Sequence, residues 1–328
     1  MTDTNPGATR RACIMGQPVA QSRSPMIHGY WIKQLGVDGA YDFKELSPAE
    51  FPAFIAAIGS NGYIGGNVTA PHKQAAFKGV AKRDAAADAI GAVNVIWLEN
   101  GVLMGGNSDT HGFIANLDEA APGWQAPAGA AAGAAGAAGA AGAAGAAGAA
   151  AGAAGAADAA GAAGAVTRAV VLGAGGAARA AVYAFVQRGV AVTLVNRTRA
   201  RADELAAHFG ALPGARVQGH DWSALPTLFK DADVLVNCTS CGMTGKPPLD
   251  IDLTPLKKSA VVYDAVYVPL ETALLAQARQ RGHRVVDGLG MLLHQAGYGF
   301  QKWFGVKTSL TPALRALVEA DLVAKAAR

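Results

Sequence analysis

Cysteine is scarce in this chain, with three in 328 residues, Cys13, Cys238 and Cys241. An odd, sparse set excludes a disulfide framework. Cys238 and Cys241 form a C-x-x-C, but no second such pair and no nearby His pair exists to complete a four-ligand zinc site. Gly242 directly after the pair argues for a loop rather than the helix start of a thioredoxin-like redox centre. Charge of one sign is also lacking: the formal net charge is +4 and the basic residues are scattered, so a nucleic-acid footprint is absent. The first eleven residues are polar and carry no apolar segment of the kind a secretory signal needs. A run of Ala and Gly from 129 to 157 is long enough to span a bilayer, yet it holds no Leu, Ile, Val or Phe and contributes little to insertion. The expectation is a cytoplasmic enzyme with no metal, no membrane partner and no nucleic acid.

That Ala/Gly block, 128–165, is broken only by Asp158. Glycine recurs at every third position over much of it, as in collagen, but no proline accompanies it and the register fails at 130–132. Helix is disfavoured too, because each glycine costs about 1 kcal/mol relative to alanine and no large apolar face compensates. The block reads as a disordered insertion in a surface connection, where added length costs little closure entropy.

What is present is a pattern of short apolar runs alternating with helical stretches. In the first third, strands are expected at Ala12–Gly16, Tyr41–Leu46 and Ile64–Val68, and a hairpin at Val93–Glu99 and Val102–Gly105 around Asn100-Gly101. Helices are expected at Pro25–Leu35 behind Ser24 as N-cap, at Pro48–Ile58 and at Thr110–Ala120. This is an α/β layer of its own. Strand–helix alternation resumes with strands at Ala169–Leu172, Val190–Val195, Val234–Asn237, Val261–Ala265 and Arg284–Val286, and a helix at Arg199–Phe209. Two closing helices, Leu289–Phe304 and Thr311–Ala327, have no strand after them and are expected to return to the first layer.

Gly173-Ala174-Gly175-Gly176-Ala177-Ala178 follows the strand Ala169–Leu172 and opens an alanine-rich stretch. Strand, tight glycine turn and helix start together let backbone N–H groups meet a pyrophosphate at a helix N-terminus. The next strand ends in Asn196-Arg197-Thr198-Arg199-Ala200-Arg201. An NAD site commonly places a carboxylate there for the ribose 2′-hydroxyl; arginines instead match a 2′-phosphate in geometry and charge. The cofactor expected is NADP(H), and with it redox chemistry.

Two further strand ends carry candidate chemistry. Asn67-Val68-Thr69-Ala70-Pro71-His72-Lys73 puts a lysine after a turn at an α/β strand end, where ligands bind. Gly106-Asn107-Ser108-Asp109 places a carboxylate at the junction of the two layers, within reach of Lys73 across a cleft. Residue type alone favours Lys73 as a surface charge at a helix start and Asp109 as an N-cap.

The order of these pieces is informative. Ser22-x-Ser24-Pro25, Asn67-x-Thr69-x-Pro71-x-Lys73, Ala92-Val93-Asn94, Asn107-x-Asp109, the glycine loop and Asn196-Arg197-Thr198 follow one another along the chain. Asn237 to Met243, Tyr263-Asp264-Ala265-Val266-Tyr267, Asp287 to Leu292 and Gln295-Ala296 continue the series. The series resembles the shikimate dehydrogenase family from Ala12 to the C-terminus, apart from the Ala/Gly block. It departs in the cysteines flanking Thr239-Ser240, in Val95 and in Ser108, where the family commonly has threonine at the last two.

The resemblance implies a two-domain α/β fold. A substrate-binding domain would comprise 11–109 and 288–328, and a Rossmann-type NADP-binding domain 110–287, interrupted at 128–165. It implies reversible NADPH-dependent reduction of 3-dehydroshikimate to shikimate, on the way to chorismate and the aromatic amino acids, by a monomer or homodimer. Ser22 and Ser24 would hold the substrate carboxylate. Thr69, Asn94, Asp109, Tyr267 and Gln295 would contact the ring hydroxyls, and Lys73 with Asp109 would handle the proton. Gly173 to Ala177 and Asn196 to Arg201 would hold the dinucleotide, with Ala265 and Gly288 at its nicotinamide end. Two alternatives stay open. A broader quinate/shikimate dehydrogenase would tolerate NAD and vary the residues facing the carboxylate, and a non-catalytic NADP(H)-binding protein would not require Lys73 or Asp109.

Overall fold

A computed structural model describes residues 9–125 and 166–326, so the Ala/Gly insertion expected at 128–165 lies outside the described residues. The first sheet is built from β1 (Arg10–Gly16), β2 (Gly39–Glu45), β3 (Gly65–Val68), β4 (Lys82–Arg83), β5 (Val95–Glu99) and β6 (Val102–Gly106). Its strand order is β2-β1-β3-β5-β6-β4. The β5–β6 hairpin turns through Asn100 at φ 52° and Gly101 at φ 77°, the left-handed pair that a two-residue hairpin requires. Helices α1 (Ser24–Gln34), α2 (Phe51–Ala56), α3 (Lys73–Gly79) and α4 (Ala85–Ile90) belong to this layer, and α5 (Asp109–Ala120) leaves it.

The second sheet contains β7 (Arg168–Leu172), β8 (Ala191–Val195), β9 (Arg216–His220), β10 (Val234–Asn237), β11 (Val261–Asp264) and β12 (Arg284–Val286). All pairs are parallel, in the order β12-β11-β10-β7-β8-β9, the doubly wound dinucleotide-binding arrangement. Its helices are α6 (Gly176–Gln187), α7 (Arg199–Gly210), α8 (Leu225–Leu228) and α9 (Ala273–Gln280). Alternation along β7 feeds two cores: Ala169 and Val171 face α5, α6 and α7, whereas Val170 and Leu172 face α8 and α9. The chain therefore has the α/β architecture with a Rossmann-type sheet that its alternation implies.

The last helices, α10 (Gly288–Phe304) and α11 (Pro312–Ala326), return to the first sheet. Phe300, Trp303, Phe304, Leu314 and Val318 share one core with Ala12, Trp31 and Trp97. Burying side chains of this size is the main force holding α10 in place, at about 1.5–3 kcal/mol each. Gly65 admits a close approach: a Cβ there would lie 2.6 Å from the Trp303 indole nitrogen, which donates to the Ile96 carbonyl at 2.8 Å.

Local expectations differ from the structure at three helix starts. Ser24 is the first residue of α1 rather than its cap; Arg23 occupies the cap position and no side chain bonds there. Asp109 likewise opens α5 without capping it. Helix α2 begins at Phe51 rather than Pro48, after a turn across which Ser47 and Glu50 exchange bonds.

Candidate active site

A cavity of about 280 Å³ opens between the first sheet, α10 and the loop after β11. Ser22, Ser24, Thr69, Lys73, Asn94, Asp109, Tyr267 and Gln295 all line it. These eight residues come from six places in the chain, and each was a candidate in the sequence. Asn67 and Arg23 line it as well, although neither was among the candidates. Their signal was adjacency to candidates, with Asn67 two residues before Thr69 and Arg23 between the two serines.

At the centre, Lys73 Nζ donates to Asp109 Oδ2 at 2.8 Å. The other carboxylate oxygen accepts from Asn94 Nδ2, also at 2.8 Å. Asn94 is held in turn, since its Oδ1 accepts from the Ser108 N–H at 2.8 Å. The Lys73 side chain is 35% exposed and that of Asp109 13%, so the ammonium faces the cavity while its partner is anchored behind it. His72, next to Lys73, is buried, stacks on Phe51 at 4.3 Å and bonds to the Leu46 carbonyl at 2.7 Å. That anchor turns the following residue into the cleft.

Released from capping, the Ser24 hydroxyl accepts from Ser22 Oγ at 3.2 Å at the rim of the same cavity. The neighbouring Arg23 guanidinium is engaged by Asp321 of α11 at 3.0 Å. Tyr267 is kept a neutral phenol: burial pushes its pKa up, and the Arg23 charge offsets that only in part. The cavity therefore offers hydroxyl and amide groups around the Lys73–Asp109 pair, with the Arg23 guanidinium beside the two serines, a lining suited to a small polyhydroxylated anion.

On the second sheet, Gly173 follows β7 at φ 105°. A Cβ on it would lie 3.0 Å from the Cys238 carbonyl, so only glycine lets the loops after β7 and β10 meet at the point where strand order reverses. Gly175 and Gly176 are exposed at the start of α6, with no atom near enough to crowd a ligand. Ala174 and Ala177 flank them, half-buried. Beyond β8, Asn196 bonds across to the Thr198 carbonyl at 2.9 Å, which sets the turn that presents Arg197, Thr198, Arg199, Ala200 and Arg201. The arginines differ. Arg199 bonds to Asp203 at 2.7 Å and to Asp221 at 2.9 Å, whereas Arg197 and Arg201 are exposed with no carboxylate in ion-pair range among the described residues.

The two halves meet in the loop after β11. Asp264 is fully buried, its pKa raised by that burial, and its carboxylate is satisfied by Asn237, Val266 and Thr272 at 2.6–3.0 Å. It fixes the run Ala265-Val266-Tyr267, which passes from the second sheet to the cavity. Gly288 packs so tightly on this loop that a Cβ would lie 2.3 Å from the Ala265 carbonyl oxygen. The two cysteines of the C-x-x-C are free, and no cluster of metal-ligating side chains is present among the described residues.

Residues 14–96 match the model of the shikimate dehydrogenase substrate-binding domain, and residues 157–244 that of shikimate/quinate 5-dehydrogenase. The shikimate dehydrogenase (NADP(+)) of Methylocella silvestris is 48% identical over 96% of this chain and 98% of its own. The enzyme of the same name from Mesorhizobium japonicum is 48% identical over 97% and 99%. The chain belongs to the shikimate dehydrogenase family. Among solved structures, shikimate 5-dehydrogenase of Thermus thermophilus, in complex with NADP(H) and shikimate, aligns with a TM-score of 0.72 at 27% identity, covering 96% of this chain and 99% of that one. Quinate dehydrogenase of Corynebacterium glutamicum, in complex with NAD, aligns at 0.77 with 26% identity over 95% and 99%. No helix among the described residues is long and apolar enough to cross a membrane.

Proposed function

We propose that this shikimate dehydrogenase family member reduces 3-dehydroshikimate reversibly to shikimate with NADPH, using Lys73 and Asp109 as its proton-handling pair. The observation that carries the assignment of residues is the 2.8 Å Lys73–Asp109 bond inside a cavity that Ser22, Ser24, Thr69, Asn94, Tyr267 and Gln295 also line. The open glycine turn at the start of α6 and the exposed Arg197 and Arg201 fit a 2′-phosphorylated dinucleotide. When bound, NADPH supplies the hydride that reaches the carbonyl carbon.

The chain's own residues supply the rest. As the carbonyl carbon is reduced, its oxygen gains negative charge, which a preorganised cation stabilises and protonates. Lys73 performs both tasks: its ammonium donates to the developing alkoxide, and Asp109 holds the ammonium in line. In the oxidative direction the neutral amine of Lys73 accepts the hydroxyl proton. Ser22 and Ser24 take the substrate carboxylate through hydroxyl donors. Thr69, Asn94, Tyr267 and Gln295 grip the ring hydroxyls and select the face presented to the nicotinamide, next to Ala265 and Gly288. Residues 11–109 with 288–328 form the substrate-binding unit and 110–287 the NADP unit. The product feeds the route to chorismate and the aromatic amino acids, and the working form is a monomer or homodimer.

A quinate-accepting, NAD-tolerant enzyme is the second reading, favoured by the alignment with the NAD-bound quinate dehydrogenase. Absorbance at 340 nm, with NADP⁺ and shikimate, then quinate, then NAD⁺, separates the two. Turnover confined to shikimate and NADP⁺ supports the first reading; comparable rates with quinate or NAD⁺ replace it with the second.

A further inference from the structure

One carboxylate outside the cavity joins three elements that meet at the catalytic pair. Asp84 caps α4, its Oδ1 accepting from the Ala87 N–H at 2.7 Å. Both its oxygens accept from the Asn107 N–H at 3.3 Å, and Oδ2 accepts from the Tyr298 hydroxyl of α10 at 2.9 Å. Its own N–H donates to the Gly105 carbonyl at 3.0 Å. The carboxylate occupies the space beside Gly106, where a Cβ would lie 2.4 Å from Oδ2. Neither Asp84 nor Tyr298 lines the substrate cavity.

From Asn107 the bonds run directly to the reacting groups. Asn107 Oδ1 accepts from the Asp109 N–H at 3.0 Å, and its Nδ2 donates to the Ala92 carbonyl at 3.0 Å. Asp109 then meets Lys73 and Asn94 as described. On the other side, Tyr298 lies one turn beyond Gln295 on α10, so the carboxylate that steadies the Asn107–Asp109 corner also fixes the helix that carries a substrate contact.

We propose that Asp84 is a positioning residue for this reaction. It holds the 107–109 corner and α10 in one register, so that Asp109 presents Lys73 to the substrate oxygen. The inference rests on the assignment of Lys73 and Asp109 made above. A carboxylate is needed because it accepts from three donors at once; an asparagine has one acceptor oxygen and adds a donor group where donors already converge.

The test is Asp84→Asn, assayed at saturating NADP⁺ and shikimate, with active sites counted by fluorescence titration of bound NADPH. A misplacement of the proton-handling pair lowers kcat per site about 10- to 100-fold, while NADPH affinity stays within about two-fold. The deuterium isotope effect on kcat, with shikimate labelled at the hydride-donating carbon, rises as the chemical step slows. A residue that only caps α4 would lower the thermal midpoint and leave kcat per site and the isotope effect unchanged, and that result overturns the proposal. Should Asp84→Asn not fold, Tyr298→Phe carries the test, because it removes one donor and leaves the α4 cap whole. It lowers kcat per site about three- to ten-fold if the register matters and leaves it at the wild-type value if it does not. Lys73→Ala measured alongside separates the two failures. Wild-type rates there would sink the site assignment itself, whereas a dead Lys73→Ala beside a fully active Asp84→Asn would sink this inference alone.

Discussion

Lys73 and Asp109 are 36 residues apart in sequence and 2.8 Å apart in space, each the first residue of its helix. Placing both at helix starts aims their side chains off strand ends into one cleft. Lys73→Ala is expected to lower kcat about 10²- to 10⁴-fold, the range for losing a general acid–base group, with a modest change in the KM for shikimate. Steady-state assays at saturating NADP⁺ measure this, and near-wild-type kcat would remove Lys73 from the proton path.

Arginines near the ribose position are expected to divide in their effects. Arg197→Ala raises the KM for NADP⁺ about 10- to 100-fold, as expected for a lost charge-assisted bond of roughly 1.5–3 kcal/mol, and leaves the KM for NAD⁺ nearly unchanged. Arg199→Ala has a much smaller effect on NADP⁺, because Asp203 and Asp221 already engage that guanidinium. Equal loss for both cofactors in Arg197→Ala would refute a 2′-phosphate role.

Gly288→Ala is expected to destabilise the fold by about 1–3 kcal/mol, the usual cost of forcing atoms into a packed site. The added Cβ would lie 2.3 Å from the Ala265 carbonyl oxygen, a backbone atom that no rotamer change can move. Urea unfolding measures the loss, and an unchanged midpoint would show that the loop after β11 yields freely.

His28 is fully buried among Trp31, Tyr41, Phe300 and Trp303, and neither ring nitrogen has a hydrogen-bond partner in the structure. Burial pushes its pKa down to about 3. In the unfolded chain an imidazole titrates near 6.5, so between about pH 6.5 and 3 the unfolded state binds a proton that the folded state refuses. Stability is therefore fully present above about pH 6.5 and falls as the pH drops toward 3, by up to about 1.4 kcal/mol per unit. His28→Phe, which keeps the stack on Tyr41, flattens this part of the profile. Urea midpoints at neutral pH and near pH 4.5 measure the difference, and an unchanged slope would discount His28 as its source.

Legibility followed how locally each element is specified. β1, β7, β8 and β10 carry continuous apolar runs, and the structure places all four within two residues of their expected bounds. β9 has the sequence Arg-Val-Gln-Gly-His and shows no apolar alternation; it is a strand because β8 pairs with it along its whole length. The two-residue β4 depends in the same way on β6. Helix α4, Ala-Ala-Ala-Asp-Ala-Ile, carries little apolar periodicity, and what starts it is the Asp84 cap. Ser24 and Asp109 have the residue types of N-caps, but the observed helices start at them, which frees the Ser24 hydroxyl and the Asp109 carboxylate for the cavity.

By itself the sequence determined the alternating α/β order, the glycine turn after β7 and the arginine-rich end of β8. These depend on hydrophobic periodicity and backbone permissiveness, which act over a few residues. Through the family resemblance it also pointed to eight of the side chains that line the cavity around Lys73. Only the tertiary structure decided that Asn94 holds the second carboxylate oxygen of Asp109, that Arg199 is engaged while Arg197 is not, and that Asp84 ties α4 and α10 to the 107–109 corner. Charge and hydrogen-bond partners are set by distance in space, and chain folding brings together groups whose separation in sequence runs from 22 residues for Arg199 and Asp221 to 214 for Asp84 and Tyr298.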